Sequence, residues 1–139
     1  ATDITRSILL ASNMVIIPCT PSGLDSKATY NTLEIIKEAS VFTPNLKTVF
    51  MVNRKTVNTA IGKTIRETLL SFDKDIKLLK SEISMRIVFA EALSAGLSVQ
   101  EMGAGNEKAK DEISNLYREI IKELKGEKRS NKTYTKKHR

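Results

Sequence analysis

The sequence predicts an α/β domain in which three strands alternate with helices as part of a doubly wound parallel sheet. Two observations carry this. The runs Met14-Val15-Ile16-Ile17-Pro18 and Lys47-Thr48-Val49-Phe50-Met51-Val52 are apolar without polar alternation, the pattern of strands buried on both faces of a parallel sheet. Segments with apolar residues at helical spacing follow each strand, and a strand, helix, strand, helix, strand, helix order implies right-handed crossovers within one sheet.

Taken in order, Asp3 to Ser12 reads as a short amphipathic helix with Ile4, Ile8 and Leu9 or Ala11 on one side and Asp3 as its cap. Ala1 is not a methionine, which fits a processed chain or the latter part of a longer one. The strand Met14 to Pro18 leaves through Cys19-Thr20-Pro21-Ser22-Gly23, and Asp25 or Ser26 caps a helix with Ala28, Thr32, Ile35, Ile36 and Ala39 inward, ending near Ser40 before Pro44. The second strand, Lys47 to Val52, runs into Asn53-Arg54-Lys55. Ile61, Ile65, Leu69 and Phe72 then mark a helix with Lys63 and Glu67 on its wet side. Lys77 to Ile83 is a weaker third strand.

Arg86 to Ala95 is a short helix that Gly96 closes with a left-handed cap, followed by the apolar contact of Leu97. The last helix, Ala104 to Leu124, is apolar at Ala109, Ile113, Leu116, Tyr117, Ile120, Ile121 and Leu124, and Gly126 ends it. Three strands make a thin sheet. An unprotected edge strand pairs readily with another chain, so the sheet is expected to be completed by further residues, a partner or a second copy.

Composition narrows the function. The 139 residues, 40% of them hydrophobic, suffice for one domain. No segment has the length of an apolar membrane span, since Ser12 and Asn13 interrupt the run from Ile8 to Ile17. The lone Cys19 fits a reducing, cytoplasmic compartment and offers no disulfide framework. The net charge of +7 is concentrated: residues 125–139 hold seven Lys or Arg against Glu127, so +6 lies there. Such a segment is expected to be a disordered basic tail, serving as a nucleic-acid-binding arm or merely as a solubilising appendage. If about four of its cations neutralise phosphates, log affinity falls with log salt at a slope of roughly −3.5.

Three groups of residues then bear on chemistry. Val15-Ile16-Ile17-Pro18 with Thr20-Pro21 and Leu24-Asp25 form a strand that breaks at a proline loop. Val52-Asn53-Arg54 ends the next strand. Ile83 and Arg86 precede Glu91-Ala92, Gly96-Leu97-Ser98-Val99 and Glu101. In order and spacing, the chain from its first helix to Leu124 resembles the C-terminal portion of the ParA/MinD family of deviant Walker-A ATPases, and within it the short ParF-like plasmid partition proteins.

That resemblance implies a P-loop NTPase or Rossmann-like fold, with residues 1–124 as the C-terminal portion of a nucleotide-binding domain. It implies a DNA partition ATPase acting in plasmid or chromosome segregation, cytoplasmic and nucleoid-associated. Such a protein forms an ATP-dependent homodimer with Mg²⁺ and ATP or ADP, binds non-specific DNA, and is stimulated by a ParB/ParG-like centromere-binding protein. Carried over by residue, Asn53 and Arg54 lie beside the adenine base, and Pro18, Thr20 and Pro21 form the proline segment near the base and the dimer contact. An amide can pair with a purine edge and a guanidinium can stack on it. Read alone, Asn53-Arg54 is also an ordinary turn with a surface charge. Arg86, Lys55, Lys63 and Arg66 from the body, with Lys128, Arg129, Lys132, Lys136 and Lys137 from the tail, are the expected DNA contacts.

The departures limit the reading. The family's Gly-rich double-lysine loop and Walker-B aspartate are not in this sequence. Gly62-Lys63-Thr64 matches only the end of such a loop and lies inside a helical pattern. This chain alone is therefore expected not to hydrolyse ATP, with no catalytic residue of its own. Asp73 and Asp75 read as a helix terminus rather than a metal site, and no metal site is expected. Residues 130–139 offer only Tyr134 as a large apolar group, which disfavours a membrane-binding helix. The alternative function is a non-enzymatic α/β interaction module that binds nucleic acid through its tail and a protein partner through its sheet edge.

Overall fold

The alternation folds as one sheet with helices on both faces, in a computed structural model that describes the backbone of residues 2–137 and the side chains of residues 2–126. Helix α1 (Asp3–Leu10) leads into strand β1 (Met14–Cys19), and a 3-10 turn at Pro21–Gly23 precedes α2 (Ser26–Phe42). Then come β2 (Lys47–Lys55), α3 (Ala60–Phe72), β3 (Lys77–Ser84), α4 (Ile87–Ala95), a 3-10 turn at Val99–Glu101 and α5 (Glu107–Lys137). All strand pairs are parallel, in the order β1-β2-β3. This is the expected α/β architecture and is consistent with a Rossmann-like, P-loop-type fold.

The pleat sorts the core into two layers. On one face, Cys19, Phe50, Val52 and Leu78 pack with Leu33 of α2 and Ile65 and Leu69 of α3, while Val15 and Ile17 meet Leu9, Ile36 and Ala39. On the other, Val49, Met51, Leu79 and Ile83 meet Phe89 of α4 and Ile113, Leu116 and Ile120 of α5. Phe50, Val49 and Val52 are fully buried because β2 is the middle strand. β1 is an edge: of its six residues only Cys19 is buried, and Ile16 is 36% exposed. So only one of the two apolar runs is covered on both faces by this chain.

Several boundaries differ from the sequence expectation, each for a local reason. Thr2 rather than Asp3 caps α1, because its extended backbone lets the hydroxyl accept from the N–H of Thr5 at 3.4 Å. That helix stops at Leu10 instead of Ser12, where the amides of Ala11 and Ser12 turn back to Ile8 and Leu9. Only Leu9 of its apolar side is buried, and Ile4 and Ile8 stay exposed. In α2, capped by Asp25 on the Ala28 N–H at 3.0 Å, the buried set is Thr29, Leu33, Ile36 and Ala39. The face is turned by about one residue from the expected Ala28 and Thr32, which brings Leu33 under the sheet, and the helix runs on to Phe42.

At the other end of the chain, Arg86 is the N-cap position of α4 and not its first turn. Gly96 does adopt the left-handed cap, at φ 68°, with the Leu97 N–H donating to Ala92 O. α5 starts at Glu107 rather than Ala104, after a turn in which Asn106 donates to Gly103 O and Gly105 sits at φ 95°. It passes through Gly126 instead of ending there. One interior glycine costs a helix only about 1 kcal/mol, and a lysine-rich end suits the negative pole of the helix dipole.

Candidate functional site

The register builds the candidate site. Pro18 pairs with Met51 and Cys19 with Val52, so Thr20-Pro21 and Asn53-Arg54 emerge side by side at the carboxyl edge of neighbouring parallel strands. That edge is where open α/β sheets gather ligands. Pro21 is buried at the start of its 3-10 turn, while Pro18 is exposed on β1. Asn53 is half-buried and Arg54 exposed. Both lie inside β2, which extends to Lys55, and not in a turn beyond it. The reason is β3: Lys55 pairs with Ser84, and its carbonyl accepts from the Met85 N–H at 2.9 Å.

Arg54 has φ 52°, left-handed for a non-glycine residue. The pairing explains it: between Val52 and Lys55 the register shifts, so β2 carries an extra residue against β3 at this point. A bulge of this kind re-aims a side chain at the end of a strand. Lys55, next in sequence, is tied down by Glu82 at 2.9 Å, and Arg66 approaches the same carboxylate at 3.6 Å while donating to Leu79 O at 3.1 Å.

The remaining body residues expected to touch DNA are also placed. Arg86 grips Glu112 with two nitrogens, at 2.8 and 3.4 Å. That hydrogen bond is the main reason its proton is held more firmly than usual. Lys63 is exposed on α3. Three of the four body cations therefore face carboxylates, and Lys63 alone of them stands in open solvent. The side chains of Lys128, Arg129, Lys132, Lys136 and Lys137 lie outside the described residues, as do those of most of the expected basic tail.

Gly62-Lys63-Thr64 has a structural explanation. Thr59 caps α3 on the Gly62 N–H at 3.0 Å, and a Cβ on Gly62 would meet Thr56 O and Thr59 Oγ1 at 2.8 Å each. The glycine is there for a close approach within the loop, not for phosphates.

The sequence reading missed the acidic residues. Glu119 of α5 accepts from the backbone N–H groups of Lys80 at 2.6 Å and Ser81 at 2.8 Å, and Glu112 from that of Ser84 at 3.1 Å. Glu123 bridges Lys47 at 2.6 Å and Lys77. Burial opposes each of these charges. The hydrogen bonds outweigh it, from Ser81 and Lys80 on Glu119, Arg86 and Ser84 on Glu112, and Lys47 and Lys77 on Glu123, so all three stay below the usual carboxylate range. A signal was present: all three fall on the same side of the helix as Ile113, Leu116 and Ile120. Cys19 is inert by contrast, its thiol pushed up to about 11 by burial.

These residue types have chemistry compatible with one end of an adenine nucleotide. Asn53 brings an amide able to pair with a base edge, Arg54 a planar cation able to stack on it, and the Thr20-Pro21 turn a rigid wall. No comparable set among the described residues stands beside them for the phosphates or Mg²⁺. Among the described residues no group of three or more His, Cys, Asp or Glu could hold a metal ion; Asp73 instead accepts from the Asp75 N–H at 2.9 Å and pairs with Lys37. No helix among them is long and apolar enough to cross a membrane.

No protein-family model matches the chain. It is a distant homologue of the "Maintenance of carboxysome distribution protein A" of Halothiobacillus neapolitanus, with 29% identity over 118 residues, which are 85% of this chain and 54% of that protein. The chain thus spans about half the length of the curated relative it matches.

Proposed function

We propose that this chain is the base-binding and DNA-contacting portion of a ParA-like ATPase that distributes a cellular cargo. The observation that carries the reading is the convergence of Thr20-Pro21 with Asn53-Arg54 at the carboxyl ends of β1 and β2. Distant homology to a protein named for maintaining carboxysome distribution adds support at the family level. In this reading Asn53 orients the adenine and Arg54 stacks on it. Pro18, Thr20 and Pro21 shape the wall beside the base and a contact between two copies. A bound nucleotide with Mg²⁺ supplies the energy of the cycle, and a polypeptide with a phosphate-binding loop is needed for its chemistry. DNA binding is electrostatic and sequence-independent, and a ParB/ParG-like partner stimulates turnover. Whether the cargo is a plasmid, a chromosome or a protein body is set by that partner.

The test is nucleotide affinity in a polypeptide that joins this sequence to a phosphate-binding loop. Asn53→Ala and Arg54→Ala should each weaken adenine-nucleotide binding about tenfold, near 1.4 kcal/mol, with unfolding midpoints unchanged. Unchanged affinity in both would return Asn53-Arg54 to a structural bulge. The 139-residue chain alone should show no Mg²⁺-dependent ATP turnover. A second reading, a non-enzymatic module that binds nucleic acid and a protein partner, is favoured by the open β1 edge; it predicts DNA binding with no nucleotide response from either polypeptide.

A further inference from the structure

Helix α5 separates its charges by face. The apolar residues Ala109, Ile113, Leu116 and Ile120 turn toward β3 and α4, and the carboxylates Glu112, Glu119 and Glu123 are drawn to the same side by backbone N–H groups of β3, by Arg86, and by Lys47 of β2 with Lys77 of β3. Arg118, Lys122 and Lys125 are exposed. At about 100° per residue these three fall within an arc of roughly 60° on the side away from the packed residues. None of them forms an ion pair among the described residues; Arg118 donates to the neutral Asn115 amide at 2.9 Å.

The spacing of these cations is four, then three. The sequence continues it without a break, as Arg129, Lys132 and Lys136, and the α5 backbone is helical through Lys137. Six cationic positions therefore share one helical face over about 27 Å. Because Glu112, Glu119 and Glu123 are engaged by Arg86, by backbone N–H groups of β3 and by Lys47 and Lys77, those three carboxylates do not neutralise this face. Tyr117, 65% exposed, and Ile121 border it in a shallow groove of about 440 Å³ with Arg118, Lys122, Lys125 and Gly126.

We propose that a basic face of α5, starting inside the folded body at Arg118 and Lys122 and continuing in register through Lys125, Arg129, Lys132 and Lys136, docks the phosphate backbone of duplex DNA. This rests on the DNA-binding part of the reading above and deepens it. It replaces a flexible arm with a helical rail anchored to the sheet, and adds Arg118 and Lys122 to the contact. Nucleic acid is the favoured occupant because its charge is a dense repeating line, one phosphate per about 1.7 Å of duplex. A membrane-binding helix needs an apolar stripe along its length, whereas Tyr117 and Ile121 border only the first part of this face and residues 125–139 add only Tyr134 as a large apolar group.

The test uses the full 139-residue chain and a fluorescent duplex of arbitrary sequence, with affinity followed from low to physiological salt. Six phosphate contacts give a log–log slope of about −5. Arg118→Ala/Lys122→Ala/Lys125→Ala, all on the exposed face, should bring the slope to about −3 with helical circular dichroism unchanged. Insertion of two alanines between Gly126 and Glu127 keeps every charge but rotates the following residues by roughly 200°. It should reduce affinity at least tenfold. If the wild type binds DNA but the insertion leaves affinity unchanged, the segment acts as a loose arm and the rail is refuted. If the triple alanine variant keeps the full slope, the body takes no part and the inference fails as well. Wild-type protein that binds no duplex at all overturns the DNA-binding reading itself. Tighter binding to vesicles of anionic lipid than to duplex at equal salt would replace the occupant.

Discussion

The two edges of this sheet are built differently. β3 spends the N–H groups of Lys80, Ser81 and Ser84 on the carboxylates of Glu119 and Glu112, so a helix seals it. β1 has no strand on its outer side among the described residues, and Ile16 and Pro18 are exposed. A parallel sheet with one sealed and one open edge can grow in one direction only. The proposed base site, at the ends of β1 and β2, sits on the side where it can grow.

The largest expected effect contrasts the two edges directly. Glu119→Ala strips the acceptor from two backbone donors and should destabilise the chain by about 2 kcal/mol. Ile16→Thr keeps a β-branched residue on an exposed position and should change stability by less than about 0.5 kcal/mol. Urea unfolding of both variants measures the difference, and equal losses would mean that α5 does not seal β3.

Acid gives the same contrast by titration. Glu112, Glu119 and Glu123 have folded-state values lowered from the ordinary 4.5. Their stabilisation is therefore complete above that value and is lost as pH falls through the lowered ones. Urea midpoints should hold from pH 7 to 5 and drop below about pH 4.5. The triple variant Glu112→Gln/Glu119→Gln/Glu123→Gln should start less stable and lose much of that acid limb. An unaltered limb would assign acid sensitivity to other carboxylates.

A third contrast concerns association. With one edge open, the isolated chain should self-associate or require a neighbouring strand. Ile16→Lys, a charge placed on the open edge, should shift sedimentation toward monomer. A cooperatively unfolding wild-type monomer at micromolar concentration would show that the edge needs no neighbour.

The difference between the edges also explains what was legible in the sequence. β2 could be read from composition because a middle strand must be apolar on both faces, and Val49, Phe50 and Val52 are. Caps such as Asp25 and Gly96 were legible because they act within a few residues. The sealing of β3 was not, since Glu112 and Glu119 meet their partners across 28 to 39 positions. The end of β2 was misread for a similar reason. Asn53-Arg54-Lys55 has the composition of a turn, and only pairing with β3 and the Lys55–Glu82 contact hold it in the strand. The candidate site was legible as residues and became a place only through the β1–β2 register.

The smallest expected effect on stability falls between the two edges, at Arg54. A left-handed backbone costs a side-chain-bearing residue about 1 kcal/mol, and glycine escapes that cost while losing a comparable amount of chain entropy on folding. Arg54→Gly should therefore leave stability within about 0.5 kcal/mol of the wild type, and Arg54→Ala, which keeps the strain the wild type already carries, should match it as well. Both remove the guanidinium. In a polypeptide that also carries a phosphate-binding loop, the two variants should lose adenine-nucleotide affinity equally despite their different backbone freedom, because stacking on the base depends on the cation and not on the bulge. If Arg54→Gly retains affinity while Arg54→Ala loses it, the bulge geometry carries the binding. In that case the contribution of Arg54 is its backbone, and Asn53 alone reads the base.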